Sequence, residues 1–115
     1  MPTEHSSKQY ELDLEGIRSR VLQMGGMVEK QFFDAMNCFR TLNVQEADRI
    51  IRADLEVNQM EVALDDACSH LIVKRQPAAN DLRTVMATIK VITDLERIGD
   101  EATKIARAAS AIHQR

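Results

Sequence analysis

The 115 residues carry 18 acidic and 15 basic side chains, a net charge of −3, and are 44% hydrophobic but only 3% aromatic, with no Trp and two Cys. That length supports one domain, because a second would leave each piece too little core, and the apolar share excludes wholesale disorder. Mild acidity argues against the clustered Lys and Arg of a nucleic-acid footprint, and no run approaches the roughly 20 apolar residues that cross a bilayer.

The opening stretch MPTEHSSKQYELDLEG has no hydrophobic signal region, so the expectation is a cytoplasmic protein without membrane insertion. The aromatic-poor core must come from Leu, Ile, Val, Ala and Met, and four Gly and two Pro are few for the turns of a sheet of short strands. The class expected is therefore all-α.

Residues 1–9 read as a disordered or frayed polar lead. From there Leu14, Ile17, Val21, Met24, Val28, Ala35 and Phe39 recur at three- and four-residue steps, with Gln31 the one polar member, which predicts an amphipathic helix over about 10–40. Thr41-Leu42-Asn43 breaks the period, and Asn43 followed three residues later by Glu46 is a helix-start signature. A second helix follows over about 44–74 and stops at Arg75-Gln76-Pro77, since the residue before Pro avoids the helical region. The third, over about 78–112, places Val91, Leu95, Ile98, Ala102, Ile105, Ala109 and Ile112 on one expected seam. Helices of about 30 residues are about 45 Å long, so residues 10–113 form an elongated antiparallel three-helix bundle.

The acids are where function is readable. On a wheel of 100° per residue with Ile51 at zero, Val44, Leu55 and Val62 fall at about 20 to 40°, and Met60, Leu64, Ala67 and Leu71 at about 160 to 220°. Asp54, Glu61 and Asp65 cluster between these two stripes at about 280 to 320°, joined by Asn58. In the third helix the apolar face of Val85, Ile89 and Ile92 turns acidic at Glu96 and Asp100, with Asp94 nearby. Glu-x-x-x-Asp thus occurs twice, as Glu61/Asp65 and Glu96/Asp100, on helices that a three-helix bundle sets side by side. Such a pair aims two oxygens at one point, a facing pair completes four ligands, and a cation offsets the repulsion. Oxygen-only ligation favours hard ions such as Mg²⁺, Mn²⁺ or Ca²⁺, tolerates iron, and ranks Zn²⁺ lower. By spacing alone, a solvated acidic face remains the simpler reading; apolar flanks and repetition on two helices favour a site.

The stretch Arg75-Gln76-Pro77-Ala78-Ala79-Asn80-Asp81-Leu82-Arg83, with Asp94-Leu95-Glu96-Arg97-Ile98-Gly99-Asp100 after it, closely resembles the hallmark segment of the PhoU family of bacterial phosphate-signalling regulators. Met24-Gly25-Gly26-Met27-Val28-Glu29 and Asn58-Gln59-Met60-Glu61 resemble that family's first two helices, and the likeness runs from about Leu12 to Ala108. It implies a three-helix repeat whose acidic motifs, here Glu61, Asp65, Glu96 and Asp100, bind metal ions; the placement of the acids on the helices adds Asp54 and Asp94 as lesser candidates. The resemblance also implies an adaptor and not an enzyme. Its partners would be a phosphate ABC transporter ATPase and a phosphate-sensing histidine kinase, in negative regulation of phosphate uptake and of the phosphate regulon. Family members carry two bundles in tandem and this sequence one, so it is a fragment of a two-repeat protein or a single-repeat relative. A homodimer, covering a seam otherwise left bare, is the accompanying expectation.

Two other classes compete. A carboxylate-bridged metal oxidase in a helical bundle would use Glu-x-x-His on two of four helices, and no Glu here has His three residues later. A metal-free helical interaction module would leave the acids merely solvated. Lesser signals read blandly. Gly25-Gly26 suggests a helix-packing notch, and Lys74, Arg75 and Arg83 complement helix ends. Cys68 and His70, two apart, point to different faces and do not make a Zn²⁺ site.

Overall fold

The computed structural model describes residues 4–114, with side chains from Lys8 onward. Three helices account for the described chain: α1 Glu4–Thr41, α2 Val44–Arg75 and α3 Ala79–His113. They pack against one another along their length into a rod of 64 × 17 × 17 Å. The rod is longer than the sequence suggests, chiefly because α1 begins at Glu4. Most of the lead expected at 1–9 therefore has helical backbone, while residues 1–3 lie outside the described residues. The extra turns are anchored at Tyr10, which is buried and donates its hydroxyl to the Asp81 carbonyl oxygen at 2.8 Å.

Both connections follow from local chemistry. Asn43 is extended and its side chain accepts from the Glu46 N–H at 3.2 Å, satisfying one of the free donors at the start of α2. Leu42 and Gln76 each turn left-handed, with φ of 56° and 47°, just past α1 and α2, and return their N–H groups to the carbonyls of Cys38 and Ile72. Across that second turn, Arg75 Nε donates to Asp13 Oδ2 at 2.8 Å, tying the end of α2 to the start of α1.

The buried positions correct the seams expected from the sequence. In α1 the seam holds from Leu14 to Ala35, but Phe39 is 46% exposed and Cys38 is buried in its place. In α2 a single stripe is buried, Ala47, Ile50, Val57, Leu64, Cys68 and Leu71; Leu55 and Val62, expected to form a second stripe, face outward. In α3 Val91, Ile98 and Ile112 are exposed, and the buried line is Val85, Ile92, Gly99, Ala102, Thr103, Ala106 and Ala109. That line continues the Val85, Ile89, Ile92 face, the one that turns acidic. Both cysteines are buried free thiols.

Gly25 and Gly26 fill no notch, since a Cβ on either would meet nothing within 4 Å. Mid-helix glycine without a packing role carries only its entropic penalty. Gly26→Ala is expected to stabilise the bundle by about 0.5–1 kcal/mol, read as a higher urea midpoint with an unchanged slope.

The core is not continuous. One cluster runs from Tyr10, Leu14 and Leu71 to Val28, Val57 and Ile92. A second, built of small residues, comprises Ala35, Cys38, Ala47, Ile50, Ala102, Ala106 and Ala109. On each helix the residues that separate the clusters include polar or side-chain-free ones: Gln31 on α1, Asp54 on α2, and Glu96 and Gly99 on α3.

Candidate cation site in the polar layer

The heptad that buries Ile50, Val57, Leu64 and Leu71 leaves Ala47, Asp54, Glu61 and Cys68 as its alternate positions. Asp54 and Glu61 therefore stand on the core-facing side of α2, partly buried, and not on an arc between two packed stripes. On α3, Glu96 takes the corresponding place between Ile92 and Gly99.

The structure brings five of the six sequence candidates into one electrostatic group. Burial raises the Glu61 carboxyl above its ordinary value, and the charges of Asp65 and Asp100 push it further. Glu96 is pushed up to about 7, first by burial, then by the charge of Asp100 and a hydrogen bond with it, then by Glu61 and Asp54. These charges act across the contact between α2 and α3. Among the described residues no Lys or Arg forms an ion pair with Asp54, Glu61, Asp65, Glu96 or Asp100. Asp94 is different, since its carboxylate lies 3.4 Å from Lys90 Nζ on the same helix.

Asp65 Oδ1 is buried without a hydrogen-bond partner. Asp54 is held at both oxygens. Asn58 Nδ2 donates to Oδ2 at 3.4 Å, and Gln31 Nε2 donates to Oδ1 at 3.1 Å from the first helix. Gln31, only 4% exposed, also directs Nε2 to the Ile50 carbonyl and to Thr103 Oγ1, each at 3.5 Å. Its own Oε1 is buried and unpartnered. Gly99 makes this crossing sterically open, for a Cβ there would lie 3.1 Å from Gln31 Oε1 and 3.3 Å from Asp54 Oδ1.

Spacing on α2 and α3 pointed to Glu61, Asp65, Glu96 and Asp100, but not to the roles of Gln31, Gly99 and Thr103. The available signal was Gln31 as the lone polar residue in an apolar seam. The donor set is all carboxylate oxygen, with Asp54, Glu61, Asp65 and Glu96 partly buried and Asp100 exposed, the chemistry that suits a hard cation. Among the described residues no three Asp, Glu, His or Cys side chains converge closely enough to form a closed metal cage. The layer is thus an open set of carboxylates, not a completed coordination shell.

The described residues thus form an all-α, three-helix bundle domain whose core is split by a polar layer bordered by acids. The PhoU domain family model matches residues 21–109, and the chain belongs to that family. It is 51% identical over 105 residues to the phosphate-specific transport system accessory protein PhoU of Escherichia coli K12, covering 91% of this chain and 44% of that protein. It is 50% identical over 105 residues to the protein of the same name from Edwardsiella tarda, covering 91% and 43%. The crystal structure of PhoU from Pseudomonas aeruginosa superimposes with a TM-score of 0.84 at 45% identity, covering 87% of this chain and 48% of that one. The chain thus spans less than half the length of these relatives.

Proposed function

We propose that this domain is part of a cytoplasmic regulatory adaptor for phosphate transport whose acidic layer binds a hard cation. Its relatives' names supply the transport system; the corresponding partners are the transporter ATPase and a phosphate-sensing histidine kinase, with negative regulation of uptake and of the regulon as the output. No described helix is long and apolar enough to cross a membrane, which accords with a peripheral role. Exposed Leu55 and Val62 on α2 offer apolar surface for a second bundle or a second copy of the chain.

The observation that carries the cation reading is the cross-helix group of Glu61, Asp65, Glu96 and Asp100, in which burial and the neighbouring charges raise the Glu61 and Glu96 carboxyls and which has no Lys or Arg ion-pair partner among the described residues. Mg²⁺, Mn²⁺ or iron would be held by these oxygens, with Asp54 beside them, and would supply charge neutralisation between α2 and α3. Binding would stiffen the junction of the two core clusters, a way to make the bundle's outer surface respond to an ion.

Thermal unfolding during titration with Mn²⁺, Mg²⁺ or Fe³⁺ tests this. A ligand that binds only the folded chain adds about 2.7 kcal/mol at a hundredfold excess over Kd, or about 10 °C for a domain of this size. The Glu61→Ala, Asp100→Ala double variant should lose that rise. No rise with any of these ions, in the wild type, would leave the metal-free interaction module standing. The adaptor reading has its own readout. A full-length regulator bearing this domain should restore repression of phosphate-starvation genes in a strain lacking its own copy, and a folded protein that fails to do so contradicts it.

A further inference from the structure

We propose that Gln31 supplies a neutral oxygen ligand from α1, making the cation site a three-helix site centred beside Asp54 and Gly99. The inference rests on the cation reading above and extends it to a helix that carries none of the paired carboxylates.

The orientation of the Gln31 amide is fixed by its neighbours. Asp54 Oδ1 and the Ile50 carbonyl can only accept hydrogen bonds, and Thr103 Oγ1 already donates its proton to the Gly99 carbonyl at 3.1 Å. All three therefore require the NH₂ end of the amide, and turning it over would set Oε1 against three acceptors. The carbonyl oxygen takes none of these partners and is buried without one. Buried oxygens in folded proteins are nearly always satisfied, so this one calls for a donor or a positive charge.

The Gly99 contacts locate what it faces. Oε1 and Asp54 Oδ1 both border the point where a Cβ on Gly99 would stand, at 3.1 and 3.3 Å. A neutral amide oxygen and a carboxylate oxygen thus converge at the bare backbone of α3. Glu96, three residues before Gly99, feels the charge of Asp54 and Glu61. A water at the layer would give Oε1 a donor but leave these like charges uncompensated. A hard cation satisfies the amide oxygen and the carboxylates together, and carbonyl oxygens of amide side chains are ordinary ligands for such ions.

Three chains separate a ligand role from a merely supporting one: wild type, Gln31→Met and Gln31→Glu. Gln31→Met keeps length and volume but has no oxygen. It should weaken Mn²⁺ binding at least tenfold by calorimetry while remaining helical, as losses around metal sites commonly do. Gln31→Glu removes the NH₂ donor and restores the oxygen with a charge. It should unfold at lower temperature than wild type in chelator, yet show a larger rise in melting temperature on adding Mn²⁺. If Gln31 only orients Asp54 through its NH₂ group, Gln31→Glu will instead bind more weakly than Gln31→Met, and the proposal falls.

A measurement on the unaltered chain keeps the question open to refutation should either variant fold poorly. In Mg²⁺ titrations by NMR, the Gln31 side-chain carbonyl carbon should shift in step with Glu96 and Asp54. A Gln31 signal that stays still while the carboxylates shift overturns the three-helix site and leaves the cation reading intact. Absence of any carboxylate shift, in contrast, defeats the cation reading itself and this inference with it.

Discussion

Leu64→Ala should destabilise the bundle by about 2–5 kcal/mol, while Leu55→Ala on the same helix should change stability by less than about 0.5 kcal/mol. Leu64 is fully buried in the larger core cluster, whereas Leu55 is 64% exposed. Truncating Leu64 removes apolar surface from a packed interior and leaves a cavity that long helices close only in part. Truncating Leu55 removes atoms that already face solvent. Equilibrium urea unfolding followed by circular dichroism distinguishes the two, provided both variants keep the wild-type slope. Equal losses at the two positions would mean that α2 buries both of its apolar stripes within this bundle.

The pair also shows why part of the fold was legible and part was not. The helix limits at the two connections were readable because they rest on local chemistry, the Asn43 side chain on the Glu46 N–H and Pro77 forcing the break after Arg75, whereas the start of α1 at Glu4 was not. Which face packs inward was not, because α2 and α3 each carry more apolar positions than one seam needs. Val62 and Ile98 satisfy helical periodicity as well as Leu64 and Ala102 do. The deciding factor is three-dimensional, namely which line lets the other two helices approach. On α3 that line includes Gly99 and Thr103, which a hydrophobicity count passes over.

A similar limit applies to the candidate site. Two Glu-x-x-x-Asp pairs on adjacent helices could be found from spacing, and the charge of Asp100 on α3 does raise the Glu61 carboxyl on α2. The contribution of α1 depends on one buried glutamine whose amide reaches from one helix to both others. Spacing within a helix carries no information about such a crossing. The interruption of the core explains the partial burial of Asp54, Glu61 and Glu96, carboxylates at heptad positions that the apolar residues on either side turn inward, whereas Asp100 stays exposed.

That forced burial gives the second large effect its sign. Without a cation, the chain should be most stable on the acidic side of neutrality and lose stability as pH rises from about 4.5 to about 7. Glu96 has an ordinary value of 4.5 and is pushed up to about 7 in the fold. Between those limits the folded chain holds a proton that the unfolded chain has released, so unfolding releases a proton and is favoured by raising the pH. Below the lower limit both states are protonated and no penalty exists; above the upper limit both are ionised and the penalty is complete. Because Glu96 is only partly buried, solvent screening reduces the effect to about 1–2 kcal/mol, or roughly 5–10 °C in Tm. Glu61, raised in the same direction, adds to it. Glu96→Gln removes the ionisation while keeping a similar shape. In chelator its Tm should therefore match wild type near pH 4.5 and exceed it at pH 8, with the difference opening through that interval. Saturating Mn²⁺ should reverse the trend in the wild type, since a cation needs the carboxylates deprotonated and its stabilisation grows with pH. The variant, short of one charged ligand, should show a weaker reversal. A wild-type-minus-variant difference that stays constant from pH 4.5 to 8 in chelator would show that Glu96 titrates like a free side chain and that the polar layer is open to water.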